Sequence, residues 1–421
     1  MVGNVDKPVL ARRLGTTDAV VIGLGSMMGA GVFAAFGPAA QAAGVGLLIG
    51  LVLAAAIAYC NATASARLAA RYPTSGGTYI YGRERLGPWW GFIAGWGFVI
   101  GKTASCAAMA LTLASYTVAG PQWAQRAVAV GAVVVLTALN YRGVTKTAML
   151  ARILVACTLI ALAVVVIGIA ADRPGTSHLT GDWSSVTGYG VLQSAGLLFF
   201  AFAGYARIAT MGEEVREPAR TIPRAIGIAL AIAVAVYLVV GVAVLLAAGP
   251  KRLAGATAPL AEALRAVDAS SLLPAVAVGG ALASMGALLA LIAGVGRTAL
   301  AMARHRDLPG WLAAVHPRYQ VPHHAEIALA VVVCVLAATV DLRGVIGFSS
   351  FGVLIYYAIA NAAAYTLPAR GWLRGLSVAG LIGCLVLVAT LPWTSVVAGL
   401  AVFAVGLLGR WARGLRAQRR G

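Results

Sequence analysis

Gly25-Ser26-Met27-Met28-Gly29-Ala30-Gly31 places three glycines in seven residues, inside an apolar stretch and with no charged side chain among them. The chemistry such a run offers is that of the backbone. Each glycine weakens a helix by about 1 kcal/mol relative to alanine. A helix interrupted in apolar surroundings exposes N–H and C=O groups that need partners. A break near residues 25–28 predicts a fresh helix N-terminus with free N–H groups at Met28, Gly29, Ala30 and Gly31, suited by dipole and geometry to a carboxylate. The carbonyls from about Ile22 to Gly25, with Ser26 beside them, end the preceding half-helix and can accept from an ammonium group. A second interruption, Phe202-Ala203-Gly204-Tyr205-Ala206-Arg207, lies in the apolar stretch 197–209 and adds the carbonyls of Phe202, Ala203 and Gly204. A zwitterionic α-amino acid fits both kinds of end.

Lys102 is the third candidate, in the middle of the apolar segment 88–118. An ionisable group at that depth costs several kcal/mol unless paired or hydrated, so it is a functional candidate by default. Proton coupling and substrate contact are its functional readings. A lysine held by helix carbonyls, or one whose amine snorkels to an interface, is the structural alternative. The carboxylates Asp18, Glu84, Glu213, Glu214, Asp307 and Glu326 fall near segment ends or in loops. With no acid near the breaks, a neutral amino acid is favoured over a diamine, although aromatic faces also hold cations. Arg207 either repels cationic substrates or pairs with the Glu213/Glu214 loop, the second being favoured. Ser26 has no histidine partner for nucleophilic catalysis, so no enzyme is expected. His305, His316, His323 and His324 lack accompanying acids or cysteines, and no metal site is expected there. Cys60, Cys106, Cys157, Cys334 and Cys384 show no ligand spacing and read as packing residues. No phosphate-binding loop occurs, and no cofactor is expected.

The elements that must position these groups are transmembrane helices. The chain has 421 residues, 61% hydrophobic and 11% charged, where a soluble domain carries about 25% charged residues. Twelve apolar segments are expected at 18–42, 46–69, 88–118, 125–141, 148–171, 187–212, 224–248, 273–303, 325–341, 345–368, 374–391 and 393–411. Arg12 and Arg13 precede a run longer than a signal peptide's apolar region, so the first segment is expected to be retained. With the N-terminus placed in the cytoplasm, 25 of the 32 Lys and Arg fall on the inner side and six on the outer. That is the positive-inside pattern. The net charge of +19 is therefore topological, nucleic acid is not an expected partner, and both termini are expected in the cytoplasm of a multi-pass cell-membrane protein. Trp89 and Trp90 read as interfacial anchors.

Interrupted helices at corresponding positions of two halves point to the central site of a transporter. Here segments 1 and 6 carry them. The bland alternative is that the glycines only let helices pack closely. At these residues the chain resembles the amino acid–polyamine–organocation permeases, which share the LeuT-type fold. Residues Ile22 to Phe33 are similar to the family's helix 1 signature, and Tyr72-Pro73-Thr74-Ser75-Gly76-Gly77-Thr78-Tyr79-Ile80-Tyr81 to its loop between helices 2 and 3. The stretch from Glu213 through Pro218 to Ile226 resembles the loop after helix 6. Arg304-His305-Arg306-Asp307-Leu308-Pro309, with His316-Pro317 and Val321-Pro322-His323, resembles the loop after helix 8.

The resemblance implies an all-α polytopic membrane protein of about twelve helices, built as a five-plus-five inverted repeat with helices 1 and 6 broken. The repeats would span 18–171 and 187–368, after a tail at 1–17 and before two helices at 374–411 and a basic tail at 412–421. It further implies amino acid uptake or exchange by alternating access, with helices 1, 2, 6 and 7 as a moving bundle. It assigns the substrate carboxylate to Met28, Gly29, Ala30 and Gly31, and makes Phe202 the first candidate aromatic gate and Tyr205 the second. Two positions depart from the pattern. Many members carry an acid where this chain has Ala206. Some proton-coupled members carry a lysine in helix 5, aligned here with Thr158; a sodium site using Thr158 and Ser284 stays open. Lys102 and Thr158 are thus the coupling candidates. A polyamine carrier and a non-transporting sensor on the same scaffold are the alternatives, and no oligomeric state is implied.

Overall fold

The computed structural model describes residues 14–73, 76–142, 148–179, 183–211 and 214–418. Among them the structure is helical, apart from an isolated bridge between Leu14 and Val215. Segment 1 is divided into α1 (Thr16–Met27), α2 (Ala30–Ala34) and α3 (Phe36–Ala43). It is followed by α4 (Leu47–Arg71), α5 (Thr78–Leu86), α6 (Pro88–Thr117), α7 (Gln122–Tyr141) and α8 (Ala148–Asp172). Segment 6 comprises α9 (Gly188–Phe202), a 3₁₀ turn over Ala203–Tyr205, and α10 (Ala206–Ala209). The remainder is α11 (Pro218–Ala254), α12 (Pro259–Ala266), α13 (Leu273–Arg304), α14 (His323–Thr339), α15 (Leu342–Tyr365), α16 (Gly371–Thr390) and α17 (Trp393–Gln418).

Eleven spans among the described residues are long and apolar enough to cross a bilayer, and α14 is a shorter apolar helix. Apolar helices close their own backbone hydrogen bonds, the condition for residence in hydrocarbon. Sequence signals start them: Pro88, Pro218 and Pro259 sit in first turns, while Thr187 and Asp341 accept from the N–H groups of Gly190 and Gly344.

The structure differs from the sequence expectations at three places. α5 and α12 are helices where loops are expected. In α5 the charges Arg83, Glu84 and Arg85 mask the apolar pattern; in α12 Leu260, Ala261, Ala263 and Leu264 are buried while Arg265 is exposed. α17 continues to Gln418 rather than ending at 411, so the expected basic tail begins inside a helix. The motif residues Thr74 and Ser75, Lys146, Glu213 and the first 13 residues lie outside the described part.

Burial sorts the helices into an inner and an outer set. The apolar window of α6 is 89% buried and that of α15 83%, against 22% for α7, α16 and α17. The outer helices present large apolar side chains outward, among them Val134, Ile382, Leu400 and Leu408, as a lipid-facing surface does. The exposed Trp89, Trp123, Trp311, Trp372, Trp393 and Trp411 lie at or near helix ends or in a connecting segment, where an aromatic belt sits.

The end of the bundle that carries Leu14 is held by polar contacts. The Leu14 N–H donates to Glu214 O (3.1 Å) and the Arg216 N–H to Leu14 O (2.9 Å), joining the entry to segment 1 with the exit from segment 6. Asp307, buried beyond α13, accepts from the Tyr79 hydroxyl of α5 (2.8 Å) and pairs with Arg83 (3.4 Å) and with Arg410 of α17 (3.2 Å). Burial and the adjacent Asp307 carboxylate push the Tyr79 hydroxyl above its ordinary pKa, so it remains a donor to that carboxylate.

Candidate functional site

The two interruptions meet. At Gly204 a Cβ would overlap the Ser26–Met27 peptide, and at Gly31 a Cβ would lie 2.5 Å from Ala201 Cα. Backbone therefore packs on backbone, a closeness that only glycine permits here. Gly29 makes a similar approach to α13, where a Cβ would come 2.5 Å from that of Ala287.

The break in segment 1 falls at Met28 and Gly29, whose ψ angles of 25° and −136° leave the helical region. The Met28 N–H still donates to Leu24 O (2.7 Å), so it belongs to the first half-helix and is not the free donor expected from sequence. Ala35 keeps helical dihedrals and its N–H donates to Gly31 O, so α2 continues into α3 with little interruption. The N–H groups without an intrahelical acceptor are then those of Gly29, Ala30, Gly31 and Val32. On the carbonyl side, Ile22 O accepts the Ser26 hydroxyl (2.9 Å) and Leu24 O the Met28 N–H. The carbonyls freed by the break are accordingly those of Gly25, Ser26 and Met27, displaced toward the C-terminus from the expected Ile22–Gly25.

Three side chains from other helices reach carbonyls at the two breaks. Tyr237 of α11 lies with its hydroxyl 2.7 Å from Met27 O and 3.1 Å from Ala201 O, spanning both breaks. Lys102 Nζ of α6 donates to Ala203 O (3.1 Å), and the Tyr357 hydroxyl of α15 reaches the same oxygen (3.3 Å). Of the alternatives for Lys102, the structure has it on a helix carbonyl, and that carbonyl belongs to the break.

A cavity of about 700 Å³ opens beside the junction. Among the residues singled out from sequence, Ser26, Gly31, Ala203, Gly204 and Lys102 line it, joined by Met27. Phe200, Ser105 and Met109 also contribute. Ile22 is half-buried; Gly25 packs beside Val155 of α8; Met28 and Ala30 are buried among apolar neighbours. Phe202 is fully buried with its ring 5.0 Å from that of Tyr237, and Tyr205 is likewise buried 5.0 Å from Tyr357. Of the segment 6 aromatics, the one lining the cavity is thus Phe200, with Phe98 and Tyr79 contributed by other helices. Thr158 is buried in α8, its hydroxyl donating to Leu154 O (2.8 Å).

The cavity reaches the Leu14 end of the bundle through Arg207, Glu214, Arg297 and Arg304, and Arg304 and His305 are exposed there. Arg207 and Glu214 stand 3.9 Å apart as an ion pair. Toward the opposite end, buried Tyr116 donates to Phe33 O (2.8 Å) and accepts from the Leu260 N–H (3.3 Å), fastening α12 over α2. Among the described residues, the chamber reaches the Leu14 end of the bundle and has both backbone breaks in its lining.

A family model described as amino acid permease matches residues 14–408, nearly the whole chain. The chain belongs to the amino acid permease family. The permease is 60% identical over 405 residues to an uncharacterized transporter of Mycobacterium tuberculosis, covering 94% of its own chain and 90% of the relative. It is 26% identical over 440 residues to the branched-chain amino acid permease of Bacillus subtilis, with 95% and 92% covered. It is 27% identical over 382 residues to the methylthioribose transporter of the same bacterium, with 85% and 81% covered. The ordered motifs in the sequence pointed to this family, and the permease is a multi-pass transporter of amino acid permease type.

Tyr237 and Tyr357 were missed by sequence reasoning. Each is a lone hydroxyl-bearing position or pair in an otherwise apolar run, a signal too common in membrane helices to single out a partner.

Proposed function

We propose that the permease is a secondary transporter that carries amino acids across the cell membrane by alternating access, holding the substrate where segments 1 and 6 break. The observation that supports this most strongly is the backbone-to-backbone meeting of the two breaks at Gly204 and Ser26, beside a chamber that both breaks line. Isolated packing glycines would not need to pair two interrupted helices across one cavity. The N–H groups of Gly29 to Val32 would take the carboxylate. Carbonyls of Ser26 and Ala203 would take the ammonium group. Phe200, Met109 and Leu291 offer an apolar lining to the side chain. The cations at the mouth, set against Glu214 as the single acid among the described lining residues, disfavour a cationic substrate.

The basic excess on one side supports a cytoplasmic location for both termini, and on that orientation this conformation opens to the inside. Transport is driven by protons or by exchange, with Lys102 the group placed to respond; Thr158 and the buried hydroxyl of Ser284 leave sodium as a further candidate. The test is uptake of labelled L-leucine, L-arginine, L-glutamate and putrescine into proteoliposomes, with and without a pH gradient and sodium. Saturable uptake and counterflow of an amino acid are expected. Uptake of putrescine alone would replace the reading with an organocation carrier, and binding without counterflow would replace it with a sensor.

A further inference from the structure

Lys102 lines the cavity from α6, is only 6% exposed, and forms no ion pair with a carboxylate among the described residues. Its partner is Ala203 O at 3.1 Å. Ala203 is the residue that caps the C-terminal end of α9 and it lines the chamber, so its oxygen is among the carbonyls at the end of the interrupted helix. The second acceptor direction of that oxygen faces the Tyr357 hydroxyl at 3.3 Å. A primary ammonium group, held by a break carbonyl inside a largely buried chamber, is the chemistry expected of the amino end of a bound amino acid. Here the protein supplies it.

A carbonyl oxygen has two lone pairs, and two ammonium groups on it would stand within a few ångströms of each other, where like charges repel strongly in a low-dielectric site. Lys102 and a substrate ammonium therefore exclude each other at Ala203 O. We propose that Lys102 is a resident occupant of the ammonium subsite, and that an incoming substrate must displace its amine from Ala203 O in order to bind. The proposal rests on the functional reading above. It accounts for an intramembrane lysine without a carboxylate partner, because the empty site satisfies the break carbonyl and the lysine together. It also makes net binding the difference between two similar ammonium–carbonyl contacts, and a ligand lacking an amine cannot evict the lysine by this exchange.

The test uses the full chain purified in detergent, with equilibrium binding of labelled L-leucine displaced by two analogues. One is 3-methylbutylamine, which keeps only the amine; the other is 4-methylpentanoate, which keeps only the carboxylate. Lys102→Met is expected to raise the affinity for the amine relative to the carboxylate about tenfold, the size of one charge-assisted contact. Lys102→Gln, which keeps a donor for Ala203 O without the charge, is expected to shift the ratio in the same direction by less and guards against a folding defect in the methionine variant. Arg297→Gln removes a cavity cation that does not touch Ala203 O and is expected, through longer-range charge alone, to shift the ratio clearly less than Lys102→Met does. The proposal is overturned if the ratio is unchanged in both lysine variants, or if the carboxylate weakens while the amine holds, since Lys102 would then bind the carboxylate. It is equally overturned if Arg297→Gln shifts the ratio as far, since long-range charge would then suffice. Wild-type protein that binds none of L-leucine, L-arginine and L-glutamate would sink the functional reading itself, and the lysine exchange with it.

Discussion

Segments 1 and 6 are both interrupted, but in different ways. In segment 1 two residues, Met28 and Gly29, leave the helical region and a new helix starts beyond them. In segment 6 the chain merely tightens into a 3₁₀ turn over Ala203–Tyr205, with Phe202, Ala203, Tyr205 and Ala206 keeping near-helical dihedrals. The first break frees a set of N–H donors for which no side-chain acceptor stands among the described residues. The second offers carbonyls, and side chains from α6, α11 and α15 already hold them. One break leaves main-chain donors, and the other leaves acceptors that are already hydrogen-bonded. Interrupted helices that look alike in sequence can therefore present opposite chemistry.

The largest effect is expected from filling the contact between the two. Gly204→Val would force side-chain atoms into the Ser26–Met27 peptide, and overpacking of a rigid contact costs about 1–3 kcal/mol or more. Uptake in proteoliposomes is expected to vanish and the thermal midpoint to fall. A variant with normal uptake would mean that the two breaks do not depend on their close approach.

A smaller effect is expected at Tyr237, which touches both breaks at once. Tyr237→Phe leaves Met27 O and Ala201 O without that hydroxyl, and an unsatisfied buried acceptor costs about 1–3 kcal/mol. The half-saturation concentration for transport should rise with little change in expression or monodispersity. If stability falls while the half-saturation concentration holds, Tyr237 is a packing residue and does not tie the breaks together.

The smallest effect is expected at Tyr357. In Tyr357→Phe the oxygen of Ala203 keeps Lys102, so the loss should stay near the net worth of one ordinary hydrogen bond, about 1 kcal/mol. Measured by thermal unfolding beside Tyr237→Phe, it sharpens the contrast between a shared acceptor and a singly held one. A loss at Tyr357 exceeding that at Tyr237 would reverse the ranking.

Much of the fold was legible in the sequence because a bilayer demands long apolar runs, and α4, α6, α8 and α15 supply them without ambiguity. α5 and α12 were not legible, because helices of 9 and 8 residues are too short to span a bilayer and need no such run. At the site, the glycines of residues 25–31 and the interruption at 202–207 marked the right regions. The position of the free groups was not readable, and Met28 illustrates why: whether its N–H is spent on Leu24 depends on where one helical turn stops. The orientation of segment 6 was equally hidden. Phe200 reaches the chamber while Phe202 packs on Tyr237, and two residues of helical rotation separate them.

Amino-acid sequence alone determined that this chain is a polytopic helical membrane protein with two interrupted helices, because hydropathy and glycine placement act locally along the chain. Tertiary structure decided which of the exposed backbone groups are left free. Ala203 O is taken by Lys102 from 101 positions away and Met27 O by Tyr237 from 210. Such pairings depend on how distant helices pack against one another, and no local pattern in the chain encodes them.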